Sequence, residues 1–442
     1  MGTNKPNREI DKMSSETTES HTMNTASLQT YCKSKIHQLF LNSPNVKSIS
    51  IVPSYKRDKA ISVTEKRDKL FNYKRPTAEI RGNKGYLYVF PGIGYTAHYA
   101  NIYRHQGYDV DIESFTEDDI RGAVQAVFPE GFPNVDTVIL GYVEPLVDEG
   151  RWEGNDDISW KVQSINGSLV AFVGVKFSYW GDIIYYVAEV LAKSTSQLIY
   201  VGKLGSLNRE DVPNKTIASG NSSCVEGQEI VWKSIFDTSP LISHGKHVTV
   251  PSVLDETHEW FLENRHQYRF VDPEIGWVAK ACQYAGIKFS YLHLVTDNLC
   301  GDFLENLSNE REKKVIEKRL QYVGIIKSIL WHALSRKDVS MLSAVLKAQQ
   351  VRVDKGYMKP LVRDWKACLS FAYHTQEEAW EVVRELPRRE WKEQEVIPEN
   401  VLAELADTQI QLLTTLAYAG FSEEELNQVV LAKLQAKRKD WK

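Results

Sequence analysis

The chain has 442 residues, 42% of them hydrophobic and 25% charged, with a formal net charge of −4. That length gives room for about two or three domains with full cores, and the absence of a basic surplus excludes a general nucleic-acid binder. Cys32, Cys224, Cys282, Cys300 and Cys368 are odd in number and form no C-x-x-C pair, which argues against a disulfide framework or a thiolate zinc site.

No apolar run approaches the roughly 18–20 residues that span a bilayer, so the expectation is a cytoplasmic protein with neither membrane nor nucleic acid as partner. In chain order, residues 1–30 are polar and lack the apolar core of a signal peptide, and are expected to be a disordered tail. A helix is predicted over Leu28–Leu41, and residues 42–80 carry no assignable pattern. From there to about 330, short apolar runs alternate with helical stretches. The runs are Tyr86–Phe90, Thr137–Leu140, Leu169–Val175, Gln197–Val201, His247–Val250 and Phe289–Val295; the helices include Asp118–Val127, Asp182–Lys193 and Gly276–Ala285. This alternation predicts an α/β domain over 31–330 with a mostly parallel sheet. Gly92 and Gly94, in "YLYVFPGIGYTAHYA", fall between a strand and a helix. Backbone amides there can cradle a phosphate, but without a third glycine and a downstream acid a dinucleotide site is not expected, and a tight turn is the commoner outcome.

Two acids of this domain stand where chemistry is usually found. Asp297 follows the buried run "FSYLHLVT", at the carboxyl end of a predicted strand, where ligands of open α/β sheets bind. Glu274 precedes a helix that packs on that strand. Taken singly, each is as well explained as a turn or helix cap. The segment "VDPEIGWVAKACQYAGIKFSYLHLVTDN", with "LVAFVGVKFSYWGDIIYYVAEVL" and "SQLIYVGKLGSLNREDV" upstream, resembles the purine nucleoside phosphorylase and uridine phosphorylase superfamily over about residues 165–305. The resemblance implies N-glycosidic cleavage, with Asp297 as general acid toward the departing base, Glu274 holding the sugar hydroxyls, and Lys203 facing a 5′-phosphate. Pro273, Thr296 and Lys203-Leu204 depart from that family's pattern, and its arginine-and-glycine phosphate site is missing. Those departures favour hydrolysis over phosphorolysis, or binding alone.

After about residue 309 strand-like runs vanish and helical periods take over: Glu310–Leu334, Val339–Val353, Pro360–Leu386, Pro398–Ala419 and Ser422–Lys439. An all-α helical-bundle domain is expected over 335–442. Glu378 with Glu381, and Glu404 with Asp407, are pairs at i, i+3 on one helical face. Such a pair alone is ordinarily a solvated face. Here Val401, Leu402, Leu405, Ala406, Ile410 and Leu413 surround the second pair, so carboxylates would flank an apolar stripe, where a divalent cation keeps them ionised. Oxygen donors suit Mg²⁺, or Mn²⁺.

The stretch "QEEAWEVVREL … ENVLAELADTQIQLLTTLAYAGFSEEELNQVVLAKLQAKRKDW" resembles the MazG-like and dimeric dUTPase-like all-α NTP pyrophosphatases. It carries Glu377-Glu378…Glu381, Glu404…Asp407, Gly420, Ser422–Glu425 and Lys433…Arg438. The resemblance implies Mg-dependent cleavage of a nucleoside triphosphate to monophosphate and pyrophosphate. Glu378, Glu381, Glu404 and Asp407 would hold the metal, Glu381 would also orient the attacking water, and Lys433 and Arg438 would neutralise phosphates. It also implies a homo-oligomer, dimer or tetramer. The leading expectation is a bifunctional nucleotide hydrolase that clears noncanonical nucleotides or depletes a pool in defence. The alternative is an α/β domain that senses a nucleotide and regulates the C-terminal pyrophosphohydrolase.

Overall fold

The computed structural model describes residues 22–335, apart from 24, 64, 66–68, 166, 237–238, 240 and 301–312, together with 375, 379, 405 and 407–415. The chain divides into two compact units, Met1–Ser335 and Arg336–Lys442.

The first unit is built on two sheets. One has five strands in the order β2-β3-β4-β1-β5: β1 (Ser48–Pro53), β2 (Ala60–Ile61), β3 (Thr77–Arg81), β4 (Lys84–Val89) and β5 (Asp109–Ile112). Here β1 runs parallel to both β4 and β5. It lies between them, which is why four consecutive residues of "SISIVP" are buried. The larger sheet has twelve strands: β6 (Val135–Gly141), β7 (Glu153–Gly154), β8 (Ile158–Ile165), β9 (Ser168–Val175), β10 (Thr195–Ser206), β11 (Ile217–Ser219), β12 (Ser222–Val225), β13 (Gln228–Val231), β14 (Ile242–His244), β15 (His247–Thr249), β16 (Phe270–Asp272) and β17 (Lys288–Asn298).

The helices are α1 (Thr25–Lys35), α2 (Gln38–Leu41), α3 (Ile93–His105), α4 (Glu117–Val127), α5 (Ile183–Leu191), α6 (His258–Asn264), α7 (Ile275–Ala285) and α8 (Lys313–Ser335). One core cluster joins α3, α5 and α7 to one face of the larger sheet and to the first sheet. A second lies on the opposite face, where Val323, Ile326 and Leu330 of α8 meet Phe172, Ile199, Val201 and Leu294.

At β10 the larger sheet forks. β6 pairs with β10 only as far as Val201, whereas β17 stays paired with it to Ser206. The edge that β6 leaves is taken by antiparallel β16 at Gly205 and Ser206. Gly141 makes the departure of β6 possible: its φ is +113°, and a Cβ there would stand 2.3 Å from the Val201 carbonyl oxygen.

Three expectations need correction. The sheet is mixed rather than mostly parallel, because β8–β9 and β12–β13 are antiparallel hairpins and β16 opposes β10. The helix expected over Leu28–Leu41 is two helices. His37 adopts extended backbone between them and its Nδ1 accepts the Leu39 N–H at 3.1 Å, starting a new helix. Residues 22, 23 and 25–30, expected within a tail, belong to the fold: α1 starts at Thr25 and the Met23 N–H donates to the Glu256 carbonyl.

In the second unit, residues 407–415 are helical, with Leu413 and Thr414 buried and Asp407 exposed. Glu378, Glu381, Glu404, Lys433 and Arg438 lie outside the described residues, as do most of the helices expected there. Among the described residues no group of three or more His, Cys, Asp or Glu is arranged to hold a metal ion, and no helix is long and apolar enough to cross a membrane.

Candidate active site

The fork in the sheet is where polar groups collect. β17 ends in Thr296-Asp297-Asn298, past an irregularity in its pairing with β10: Val295 lies opposite Leu204, but Asp297 lies opposite the next residue, Gly205. The Asp297 carboxylate passes over Gly205 so closely that a Cβ on that residue would stand 2.8 Å from Oδ2. Thr296 Oγ1 donates to Asp297 Oδ1 at 3.1 Å.

On the vacated edge, β16 ends at Asp272. Its Oδ1 accepts the backbone N–H groups of Glu274 (2.9 Å) and Ile275 (2.8 Å), which starts α7 and fixes the direction of Glu274. Gly276 supports the same turn by donating its N–H to Thr249 Oγ1 at 2.8 Å. Glu274 is half-buried and accepts the Gly181 N–H. Burial, then the charge of Asp272, pushes its carboxyl well above the usual range, against the pull of that bond.

Glu256 is a third carboxyl that sequence reasoning missed. It is 5% exposed, at the end of the turn Val253–Asp255. Burial, then the charges of Asp297, Asp272 and Asp255, raises it well above the usual range. Glu256 and Glu274 are therefore held toward the protonated form by burial and by the charges of the acids around them.

Aromatic and imidazole groups complete the wall. Tyr200 donates its hydroxyl to Tyr179, and burial raises both phenols. The His293 ring lies 4.6 Å from that of Tyr200, and burial lowers its imidazole to about 4. His247 Nε2 lies 3.1 Å from Asp272 Oδ1, off the line of a hydrogen bond, and its Nδ1 is 2.8 Å from Ser223 Oγ.

The turn before α5 links this site to the glycine turn at Gly92 and Gly94. While the Gly181 N–H is on Glu274, the neighbouring Asp182 carboxylate accepts the N–H of Ile93 at 2.8 Å and of Gly94 at 2.9 Å. Asp182 is 5% exposed. The amides at the start of α3 are therefore occupied by the chain's own carboxylate, and the phosphate cradle considered from the sequence is closed.

Glu256 feels the charge of Asp297 and acts in turn on Glu274, so both expected acids stand near one buried carboxyl. Lys203 shares the parity of Ile199 and Val201 of the second core cluster along β10, its Nζ 5.6 Å from the centre of the Tyr142 ring.

No family model matches this chain. A search of curated proteins matches "Oxidoreductase cns1" of Cordyceps militaris, 24% identical over 263 residues, or 48% of this chain. The chain spans only 32% of that relative's length. Solved structures of nucleosidases and nucleoside phosphorylases match over about half of the chain. The 5′-methylthioadenosine/S-adenosyl homocysteine nucleosidase of Campylobacter jejuni is 13% identical, covers 46% of this chain and 99% of its own, and has a TM-score of 0.37. A futalosine hydrolase mutant of Helicobacter pylori is 13% identical over 44% of this chain and 99% of its own, with a TM-score of 0.35. A double mutant of the adenosine/methylthioadenosine phosphorylase of Schistosoma mansoni is 14% identical over 50% of this chain and 98% of its own, with a TM-score of 0.37.

Two expected results follow from the geometry. Glu256 is raised in the folded state, so its contribution to stability is full below the ordinary glutamate value, near pH 4.3, and is lost as pH rises toward the folded value. Glu256→Gln should therefore match wild type near pH 4 and melt above it at pH 8, by roughly 2–4 °C for each kcal/mol recovered. Equal melting temperatures at pH 8 would show that no buried charge is relieved. Asp182→Ala strips two helix amides of their acceptor and should lower unfolding free energy by about 1–3 kcal/mol. Added phosphate or sulfate should restore part of that loss in the variant and do nothing for wild type, as read by denaturant titration.

Proposed function

We propose that the first unit hydrolyses the N-glycosidic bond of a nucleoside or nucleotide, with water rather than phosphate as the acceptor. The observation that carries this reading is the acid cluster at the forked carboxyl ends of β10 and β17. Burial and the charges of the neighbouring acids hold Glu256 and Glu274 toward the protonated form there.

Asp297 donates a proton to a ring nitrogen of the base as the bond from that base to C1′ breaks and its electron pair leaves with the base. Glu256, facing Asp297, is the proton reserve of the pair. Glu274, fixed by α7 and Gly181, holds the sugar hydroxyls. The charge growing on the sugar is positive, and the negative surroundings stabilise it. Water then adds to C1′, and its proton returns to the Asp297–Glu256 pair. The side-chain charges of Asp297, Asp272 and Asp255 that act on Glu256 are negative, so a phosphate dianion beside it is disfavoured. The closed turn at Ile93 and Gly94 removes a further anion seat.

For the second unit, the reading rests on the spacing of Glu378, Glu381, Glu404 and Asp407. They would hold Mg²⁺, with Lys433 and Arg438 on the phosphates, and the metal would supply charge neutralisation for pyrophosphate release from a nucleoside triphosphate. The two activities would act in series on a nucleotide pool.

The deciding experiment incubates the full chain with each nucleoside, monophosphate and triphosphate, with and without Mg²⁺ and inorganic phosphate, and separates the products. Free base whose yield ignores added phosphate is expected. A sugar 1-phosphate would make the first unit a phosphorylase, and no free base from any substrate would reduce its site to binding.

A further inference from the structure

A second feature opens at the carboxyl ends of the same strands. Past the ends of β10 and β17 lies a cleft of about 620 Å³. It is lined from the end of β10 by Arg209, from the start of β15 by Lys246, and from the segment after α6 by Arg265, His266 and Arg269, with Cys300 from the end of β17. None of its described lining residues is acidic.

The cations differ in how they are engaged. Arg269 is held by Asp211 through bonds of 2.9 and 2.7 Å, and Lys246 stands 3.2 Å from Glu229. Among the described residues neither Arg209 nor Arg265 has a carboxylate partner. Arg209, Arg265 and Cys300 all line the same cleft. The segment that carries Arg265 is built rather than loose. Arg265 N–H donates to the Phe261 carbonyl (3.0 Å), Gln267 and Tyr268 to that of Asn264 (both 3.0 Å), and Arg269 to that of Lys246 (2.9 Å).

We propose that this cleft binds the phosphoryl groups of a nucleotide, with Arg209 and Arg265 as the pair that grips them. Guanidinium forks match phosphate oxygens two at a time. The positive charge of the described lining gives an anion a reason to enter that the acid cluster does not. The phosphate could belong to the substrate of that cluster or to a separate nucleotide, and the chemistry of the cleft is the same in both cases.

The test titrates pyrophosphate, AMP and ATP into the full chain by calorimetry. EDTA is present so that any metal-dependent phosphate site is silent. Arg209→Gln, Arg265→Gln and the double variant are titrated alongside. Both side chains are exposed, so folding should be unchanged by thermal melt. Wild type should bind pyrophosphate, more weakly as salt rises, and the double variant at least about tenfold more weakly, from the loss of two charge-assisted contacts. Wild type failing to bind at millimolar ligand, or the double variant binding like wild type, overturns the site. The source is read from base release. A higher KM for a nucleoside monophosphate with an unchanged KM for the nucleoside assigns the cleft to the substrate's own phosphate. Unchanged values for both, with pyrophosphate binding lost, assign it to a separate nucleotide. The binding measurement stands even if the first unit releases no base.

Discussion

Asp297→Asn should slow base release at least about a hundredfold, the lower range for loss of a general acid. The amide keeps the shape of the side chain at the fork and its place above Gly205, so the Thr296 bond and the strand register should survive. What is lost is the proton. A purine departing as an anion is a poor leaving group, so the whole cost falls on kcat while KM for the nucleoside moves little. The substitution also removes one of the negative charges that raise Glu256. The alkaline limb of any residual pH profile should therefore shift to lower pH, because Glu256 then loses its proton more readily. An Asp297→Asn enzyme within tenfold of wild type would remove this residue from the chemistry.

Pyrophosphate release should stop altogether in excess EDTA, and in Glu404→Gln, on the reading proposed for the second unit. Each carboxylate supplies a charge the cation needs, and phosphoryl transfer here depends on charge neutralisation and positioning. Base release by the first unit should be untouched, since its proposed chemistry is carried by protons. Turnover of a nucleoside triphosphate to monophosphate that persists without metal would dispose of the four-acid site. So would a Glu404→Gln variant at wild-type rate.

How much of this was legible in the sequence depended on which forces wrote it. Runs such as "FSYLHLV" and "LVAFVGV" have long apolar stretches because β17 and β9 are buried on both faces, and such strands declare themselves. Asp297 and Glu274 were visible because each ends or begins such an element. Glu256 was not. It sits in "SVLDETHEW", with no spacing to Glu274 or Asp297, and only the burial of the turn from Val253 to Asp255 brings it to them. His293 offered no clue, because a buried histidine in a strand is ordinarily core. The side of β10 that Lys203 takes was also legible, since its parity matches Ile199 and Val201 of the second core cluster. The fork itself was not legible, because it depends on where β6 stops, and that is decided by one glycine with φ of +113°.

The turn at Gly181 and Asp182 assigns opposite duties to neighbouring residues: one gives its amide to Glu274, and the next ties down the start of α3. α3 packs in the core shared with the first sheet. A ligand hydroxyl that claims Glu274 competes with the Gly181 amide, and any shift in that amide reaches Asp182 through a single peptide bond. Occupancy of the acid site and the seating of α3 are then linked equilibria, and linkage runs both ways. A surface contact on α3 or β4 would tune affinity at a pocket it never touches, and the five-stranded sheet becomes a handle on the chemistry of the larger one.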